Sequence, residues 1–297
     1  RNATALLQSA LRLVVFRHSN AFRFQDTGVR QFRCPTNSDE RRIRMAVAEV
    51  ISKANMSDAE WQTRVDLAML YRVLAKYRMT DLIYTHLTAR VPGEPNHFLI
   101  NPLGSMFEEI TASSLVKLDM DGNVVGPEAE FIFAGYCIHS AVYIARPDVM
   151  CVTHTHTRAT VAVSAMECGL LPLSQHSLFP LYSMAYHDYE GPANDLAERE
   201  SLAENLGDKM NMMLKNHGTL SAGRTIPEAF ELTYYFDTSC QIQVDALASG
   251  QVSEIPPEIV AEGHRQYKKR FDTGQTGQRA WAALRRQLDR EGADYAT

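Results

Sequence analysis

The stretch VMCVTHTHT, Val149 to Thr157, decides how this chain reads. Its first half, Val149 to Thr153, is apolar and β-branched, and reads as a buried strand. Its second half places His154 and His156 two residues apart. In an extended chain, residues i and i+2 project to the same face, so the two imidazoles stand side by side. Imidazole is the commonest ligand of zinc and similar divalent ions, and two such rings form half of a tetrahedral shell. A polar pair sharing one strand face is the other reading. A third ligand must come from elsewhere in the chain. His217 is the best placed, in the tight turn Asn216-His217-Gly218 between two strand-like segments, where glycine supplies backbone freedom. Three histidines with an open position describe a catalytic site rather than a closed structural one.

Outward from this stretch, elements of both kinds appear. Upstream, a helix over about Ala134–Ala145 is stopped by Arg146-Pro147. Downstream, Ala159–Met166 reads as helix, and Met212–Leu214 and Thr219–Ala222 read as strands. Thr225-Ile-Pro-Glu228 is an N-cap with a capping box, opening a long helix to about Ser249-Gly250. Ser57-Asp-Ala-Glu60 is a second such box, continued by an apolar stripe through Leu67, Leu70, Tyr71, Leu74 and Tyr77. Strand-like pieces at Thr85–Val91 and His97–Ile100 follow, then a strand-turn-strand signal turning at Asp121-Gly122. The tail beyond Pro256-Pro257 is charged and helical, and is expected to wrap the surface. The pattern is that of one layered α/β domain with a sheet at its centre.

Composition sets the outer bounds. The chain has 297 residues, 45% apolar and 22% charged, with formal net charge −5, as in ordinary globular proteins. That charge gives no support to nucleic acid as a partner, and no run approaches the ~20 apolar residues of a transmembrane segment. The five cysteines are scattered without CxxC spacing, and Cys137, Cys151 and Cys240 fall in apolar or periodic segments, which suits buried free thiols. Residues 1–25 carry four arginines and no acid. The basic arm over 1–33 therefore reads as a mitochondrial presequence, or as an arm packing on the body or on a neighbouring subunit, with the chain mitochondrial or cytoplasmic accordingly. A linker over 34–56 separates it from a domain over 57–250, and a helical extension fills 251–297.

From about Trp61 to Gly250 the chain resembles the class II aldolase/adducin family. The resemblance is carried by His86-Leu-Thr88-Ala-Arg90, Phe98-Leu-Ile-Asn-Pro-Leu-Gly104, Ile110-Thr-Ala-Ser-Ser-Leu-Val116, His139 to Asp148, the HTHT itself and Lys215-Asn-His-Gly218. It implies a three-layer α/β/α sandwich around a largely antiparallel sheet, assembled as a homo-oligomer, a tetramer in family enzymes. It implies a divalent metal, zinc first, held by His154, His156 and His217. The metal acts as a Lewis acid on a ketone substrate in fuculose- and rhamnulose-phosphate aldolases and in ribulose-phosphate epimerase.

The chain departs from the family pattern in the acid and the phosphate loop. The Ser-Ser-Glu triplet that supplies the aldolases' proton-transfer acid falls on Phe133-Ala134-Gly135, so no carboxylate stands there. The catalytic acid is therefore unassigned. Glu130, with Glu128 beside it, is the candidate carboxylate close enough upstream to reach the metal, and both also read as exposed loop residues. The phosphate loop becomes Thr85-His86-Leu87-Thr88, and Thr-Pro-Thr-Gly becomes Asn101-Pro-Leu-Gly104. General acid–base help is worth ~10²–10⁴ in rate, so these changes count against ordinary phosphoketose cleavage. Two functions follow as expectations. One is a metal-dependent lyase or epimerase acting on a small hydroxy or keto compound. The other is a non-catalytic adducin-like assembly subunit of a larger complex. The runs Gly135–Asp148, Val163–Pro172 and Ala185–Gly191 look like the adducin side, in the manner of short stand-alone adducin-like proteins without neck or tail.

Overall fold

The computed structural model describes residues 56–191 and 195–297. The basic arm and all of the linker before residue 56 lie outside them, as does Cys34. The first described helix, α1 (Asp58–Lys76), starts where the sequence signals it. Ser57 caps it by accepting the Glu60 backbone N–H at 3.1 Å. The reciprocal half of the expected box does not form. The Glu60 carboxylate is instead buried between Arg64 Nε at 3.0 Å and Lys117 Nζ at 2.8 Å, because pairing two cations outweighs one backbone amide.

Seven strands follow: β1 (His86–Val91), β2 (Glu94–Ile100), β3 (Val116–Asp119), β4 (Cys151–Thr155), β5 (Met184–His187), β6 (Asn211–Leu214) and β7 (Gly218–Gly223). They form one sheet in the order β3-β2-β1-β4-β7-β6-β5. Every neighbouring pair is antiparallel except β5 and β6. The helices are α2 (Phe133–Ala145), α3 (Arg158–Ser164), α4 (Gln175–Leu181), α5 (Glu198–Leu206), α6 (Ile226–Leu247), α7 (Pro257–Asp272) and α8 (Gln278–Arg290). They cover both faces of the sheet, giving the expected α/β sandwich with a mostly antiparallel centre. Sequence patterning did not indicate β5, α4 or α5, whose short runs carry no clear period.

The central strands are buried on both sides, so alternation in β1 sorts residues by face rather than by exposure. Leu87, Ala89 and Val91 join α1, Ala229 and Phe230 in one apolar core. His86, Thr88 and Arg90 turn to the α2 side, where a second core holds Phe98, Ile138, Val142, Val152 and Leu220. Arg90 stays charged there without a carboxylate: its guanidinium donates to the carbonyls of Val149, Pro95 and Tyr143 and lies 4.7 Å from the Tyr143 ring centroid.

Thr225 caps α6 by accepting the Glu228 N–H at 3.2 Å, but the Glu228 carboxylate reaches Arg224 rather than the cap residue's own amide. The tail does more than wrap the surface. Trp281, Leu284, Leu288 and Tyr295 are buried against the α1 side of the core, and the Trp281 ring sits 6.0 Å from that of Phe230. Cys137, Cys151 and Cys240 are buried free thiols, and Cys168 is exposed.

Candidate metal centre

β4 delivers His154 as its penultimate residue, and His156 follows just beyond the strand end. The chain then turns into α3, whose cap Thr157 accepts the Thr160 N–H at 3.2 Å and donates to the buried Asp237. That pair of contacts pins the backbone on the far side of His156. The hairpin between β6 and β7 brings in His217, from a turn closed by its N–H to the Leu214 carbonyl at 3.1 Å. Glycine's role in this turn differs from the one expected. The left-handed residue is Asn216, at φ 56°. Gly218 is needed for space, since a Cβ there would lie 2.5 Å from the Thr155 carbonyl oxygen and 3.0 Å from the His156 ring.

The three rings converge. One nitrogen from each of His154, His156 and His217 lies within 4.8 Å of the others, and the ring centroids are 4.4 to 4.8 Å apart. The outer nitrogens are anchored. His154 Nδ1 donates to the Thr219 carbonyl at 3.0 Å, and His156 Nδ1 faces the Asp81 carboxylate at 3.2 Å. Each anchor places the ring hydrogen on Nδ1 and leaves a lone pair on Nε2. The two Nε2 atoms face each other at 2.6 Å. Two lone pairs at that distance repel, and a cation between them turns the repulsion into binding. Burial holds all three rings neutral, which is the ligating form: it pushes His154 well below 6.5, His156 lower, and His217 down to about 4. The donor set therefore fits a divalent ion of the zinc class, with His156 and His217 on the more open side and Tyr189, over half exposed, 6.2 Å from His217.

Glu130 is not among these groups. Its side chain is exposed, and its backbone carbonyl holds the Leu103 N–H at 2.9 Å. Glu128 is exposed too. The acid position itself, Gly135 in α2, is occupied by another residue's ring. A Cβ on Gly135 would stand 2.8 Å from His86 Cγ and 3.1 Å from Ile100 Cδ1. His86 pairs directly across from His154 in the β1–β4 ladder, so both rings share the α2 face, with centroids 4.9 Å apart.

Behind His86 runs a buried chain of contacts. His86 Nδ1 meets His139 Nε2 at 3.0 Å, His139 Nδ1 meets Thr88 Oγ1 at 2.7 Å, and Thr88 Oγ1 meets the Tyr143 hydroxyl at 2.8 Å. Burial drives His139 down to about 3 and His86 well below its ordinary value, the latter reinforced by the neighbouring imidazoles. The sequence marked His86 and Thr88 as part of a matching segment and as replacements in the phosphate loop, and His139 as part of another matching segment. Their meeting depends on how α2 packs over β1, which lies far from it in the chain. Thr85 Oγ1 and Asn101 Nδ2, in the two segments that differ from the family's phosphate-binding pattern, are buried without a partner among the described residues.

Residues 65–244 match the family model described as the class II aldolase and adducin N-terminal domain. A putative aldolase class 2 protein of Caulobacter vibrioides is 48% identical over 82% of this chain and 95% of its own length. Alpha-adducin of Mus musculus is 40% identical over 77% of this chain but only 33% of its own length. Among solved structures, an aldolase II superfamily protein from Pseudomonas syringae superposes with a TM-score of 0.76 at 44% identity, covering 82% of this chain and 99% of that one.

Proposed function

The chain belongs to the class II aldolase and adducin family, and from that premise we propose that it is a divalent-metal lyase or epimerase acting on a small hydroxy or keto compound. The observation that carries the reading is the convergence of three neutral imidazoles on one point, two of them with their outer nitrogens anchored by a carbonyl and a carboxylate. His154, His156 and His217 would hold the ion, zinc before other divalent metals given an all-nitrogen donor set. When bound, the metal supplies a Lewis acid that polarises a substrate carbonyl. Thr219 and Asp81 fix the ring orientations, so the ligand lone pairs are aimed before any ion arrives. Tyr189 stands on the open side, with its ring beside His217.

A phosphorylated ketose is the less suitable substrate, because the residues at the phosphate-loop positions are buried: Thr85, His86 and Thr88 are at most 2% exposed. Family enzymes assemble as oligomers, and a homo-oligomer is the expected state here. Metal analysis of the purified protein tests the reading. About one zinc per chain is expected, lost in His154→Ala. Metal-free protein in which His154→Ala alters nothing measurable would overturn it.

One observation favours a second reading, a non-catalytic assembly subunit of a larger complex, in mitochondria if the basic arm directs import. The family's acid is absent at Gly135, as expected of a head domain that has kept the fold and lost the chemistry. This reading predicts no turnover in an aldol and epimerase substrate screen. It also predicts changed association or location when residues 1–33 are deleted.

A further inference from the structure

The chain Tyr143–Thr88–His139–His86 has a direction, and that direction decides what His86 presents to the metal centre. The Thr88 hydroxyl touches only the Tyr143 hydroxyl and His139 Nδ1 among the described residues, and the other group at Tyr143 Oη is the Val152 backbone amide, a donor that accepts nothing. If His139 carried its hydrogen on Nδ1, Thr88 would accept it. Either the Tyr143 or the Thr88 hydroxyl hydrogen would then be left without an acceptor. A buried donor without an acceptor bears the full cost of its lost water. One arrangement pairs both hydroxyl hydrogens and leaves only the ring hydrogen at the metal-centre end unpaired: Tyr143 donates to Thr88, and Thr88 donates to His139 Nδ1. His139, as the neutral ring, then carries its hydrogen on Nε2 and donates it to His86 Nδ1. His86 must in turn carry its hydrogen on Nε2, at the edge of the ring away from His139. That nitrogen has no hydrogen-bond partner among the described residues, and the ring lies against His154.

We propose that His86 is the metal centre's hydrogen-bond donor, offering Nε2–H to an anionic oxygen of the substrate in the place where Gly135 removes the family's carboxylate. The inference rests on the metal reading above for its substrate. Its hydrogen-bond logic rests on the protein alone. An N–H nitrogen cannot ligate, so His86 is set apart from the three ligands although its ring lies beside one of them, tilted by 33°. The ligand His154 is anchored by donating from Nδ1, whereas His86 is anchored by accepting there, and the tautomers are therefore opposite. A donor of this kind suits substrates whose reacting oxygen gains negative charge, such as 2-oxo acids and hydroxyketones.

Two measurements on the full chain test this. In metal-free protein labelled with ¹⁵N-histidine, long-range proton–nitrogen correlations should report Nε2–H for His86 and His139, and Nδ1–H for His154. Thr88→Val should disturb the first two and leave the third. In zinc-loaded protein, oxalate serves as the probe. His86→Leu should keep its zinc and bind oxalate about 10- to 100-fold more weakly, as expected for a lost hydrogen bond to a charged oxygen. His86→Gln, which retains an N–H donor and guards against a folding defect in the leucine variant, should recover most of that loss. Nδ1–H on His86, zinc lost from folded His86→Gln, or oxalate affinity unchanged in His86→Leu would each overturn the proposal. Failure of the unmodified chain to take zinc overturns the metal reading and the donor role with it. The tautomer pattern, read without metal, still decides the direction of the chain by itself.

Discussion

The two faces of β1 do different work with the same backbone. On one, Leu87, Ala89 and Val91 bury apolar carbon against α1 and α6, and the Tyr71 hydroxyl among them is matched by the Leu87 backbone and Asn101. On the other, His86, Thr88 and Arg90 are equally buried, and their main polar contacts are with α2 and the chain just beyond it. The first face supplies stability through area removed from water. The second trades such area for direction, because a buried polar group costs free energy unless its hydrogens and lone pairs are matched. The difference teaches where function sits in this fold: on the face whose partners are specific, at the end where His154 stands opposite His86.

The sharpest way to break this division is at the ligands. His154→Ala should abolish stoichiometric zinc uptake, measured by elemental analysis, while circular dichroism stays that of the folded protein. The apolar face should answer the opposite way. Leu87→Ala should cost about 2–5 kcal/mol in urea unfolding, and the folded fraction should keep its zinc. Between these lies Gly135→Ala, whose added carbon meets the His86 ring. Overpacking of this kind costs about 1–3 kcal/mol, and the variant should also weaken oxalate binding to the zinc form.

Acid probes the same polar face in the metal-free chain. His139 and His217 are held neutral, near 3 and 4, whereas an unfolded histidine titrates near 6.5. Below 6.5 the unfolded chain binds more protons than the folded one, so stability rises with pH. This contribution is fully present above about pH 6.5 and is lost as the pH falls toward 4, as a series of urea midpoints should show. The smallest expected effect is at Asp81, nearly half exposed: Asp81→Asn should weaken zinc by about 10- to 100-fold without changing the fold.

Much of this was legible in one dimension, for local reasons. Ser57 and Thr225 announce helices because a cap needs only residues within one turn. His154 and His156 announce a pair because strand geometry enforces the neighbourhood of i and i+2. The capping boxes formed only by half, since Glu60 turns to Arg64 and to the distant Lys117, and Glu228 to Arg224 four residues before it. The docking of α8 was not legible, for its Trp281 and Leu284 look like one stripe on a charged helix until Phe230 is set against them. The candidacy of Glu130 rested on sequence proximity alone, and the loop spends that residue's carbonyl rather than its carboxylate.

By itself, then, the sequence determined the layered α/β class, the starts of α1 and α6 and the pairing of His154 with His156, because each depends on interactions a few residues long, and it nominated His217 as the third member. Only the tertiary structure decided that His217 completes the group, that His86 fills the space above Gly135, and which nitrogen each ring leaves free. Those outcomes turn on strand register and on hydrogen-bond partners from distant segments, and a hydrogen's place on an imidazole is set by the group facing its other nitrogen.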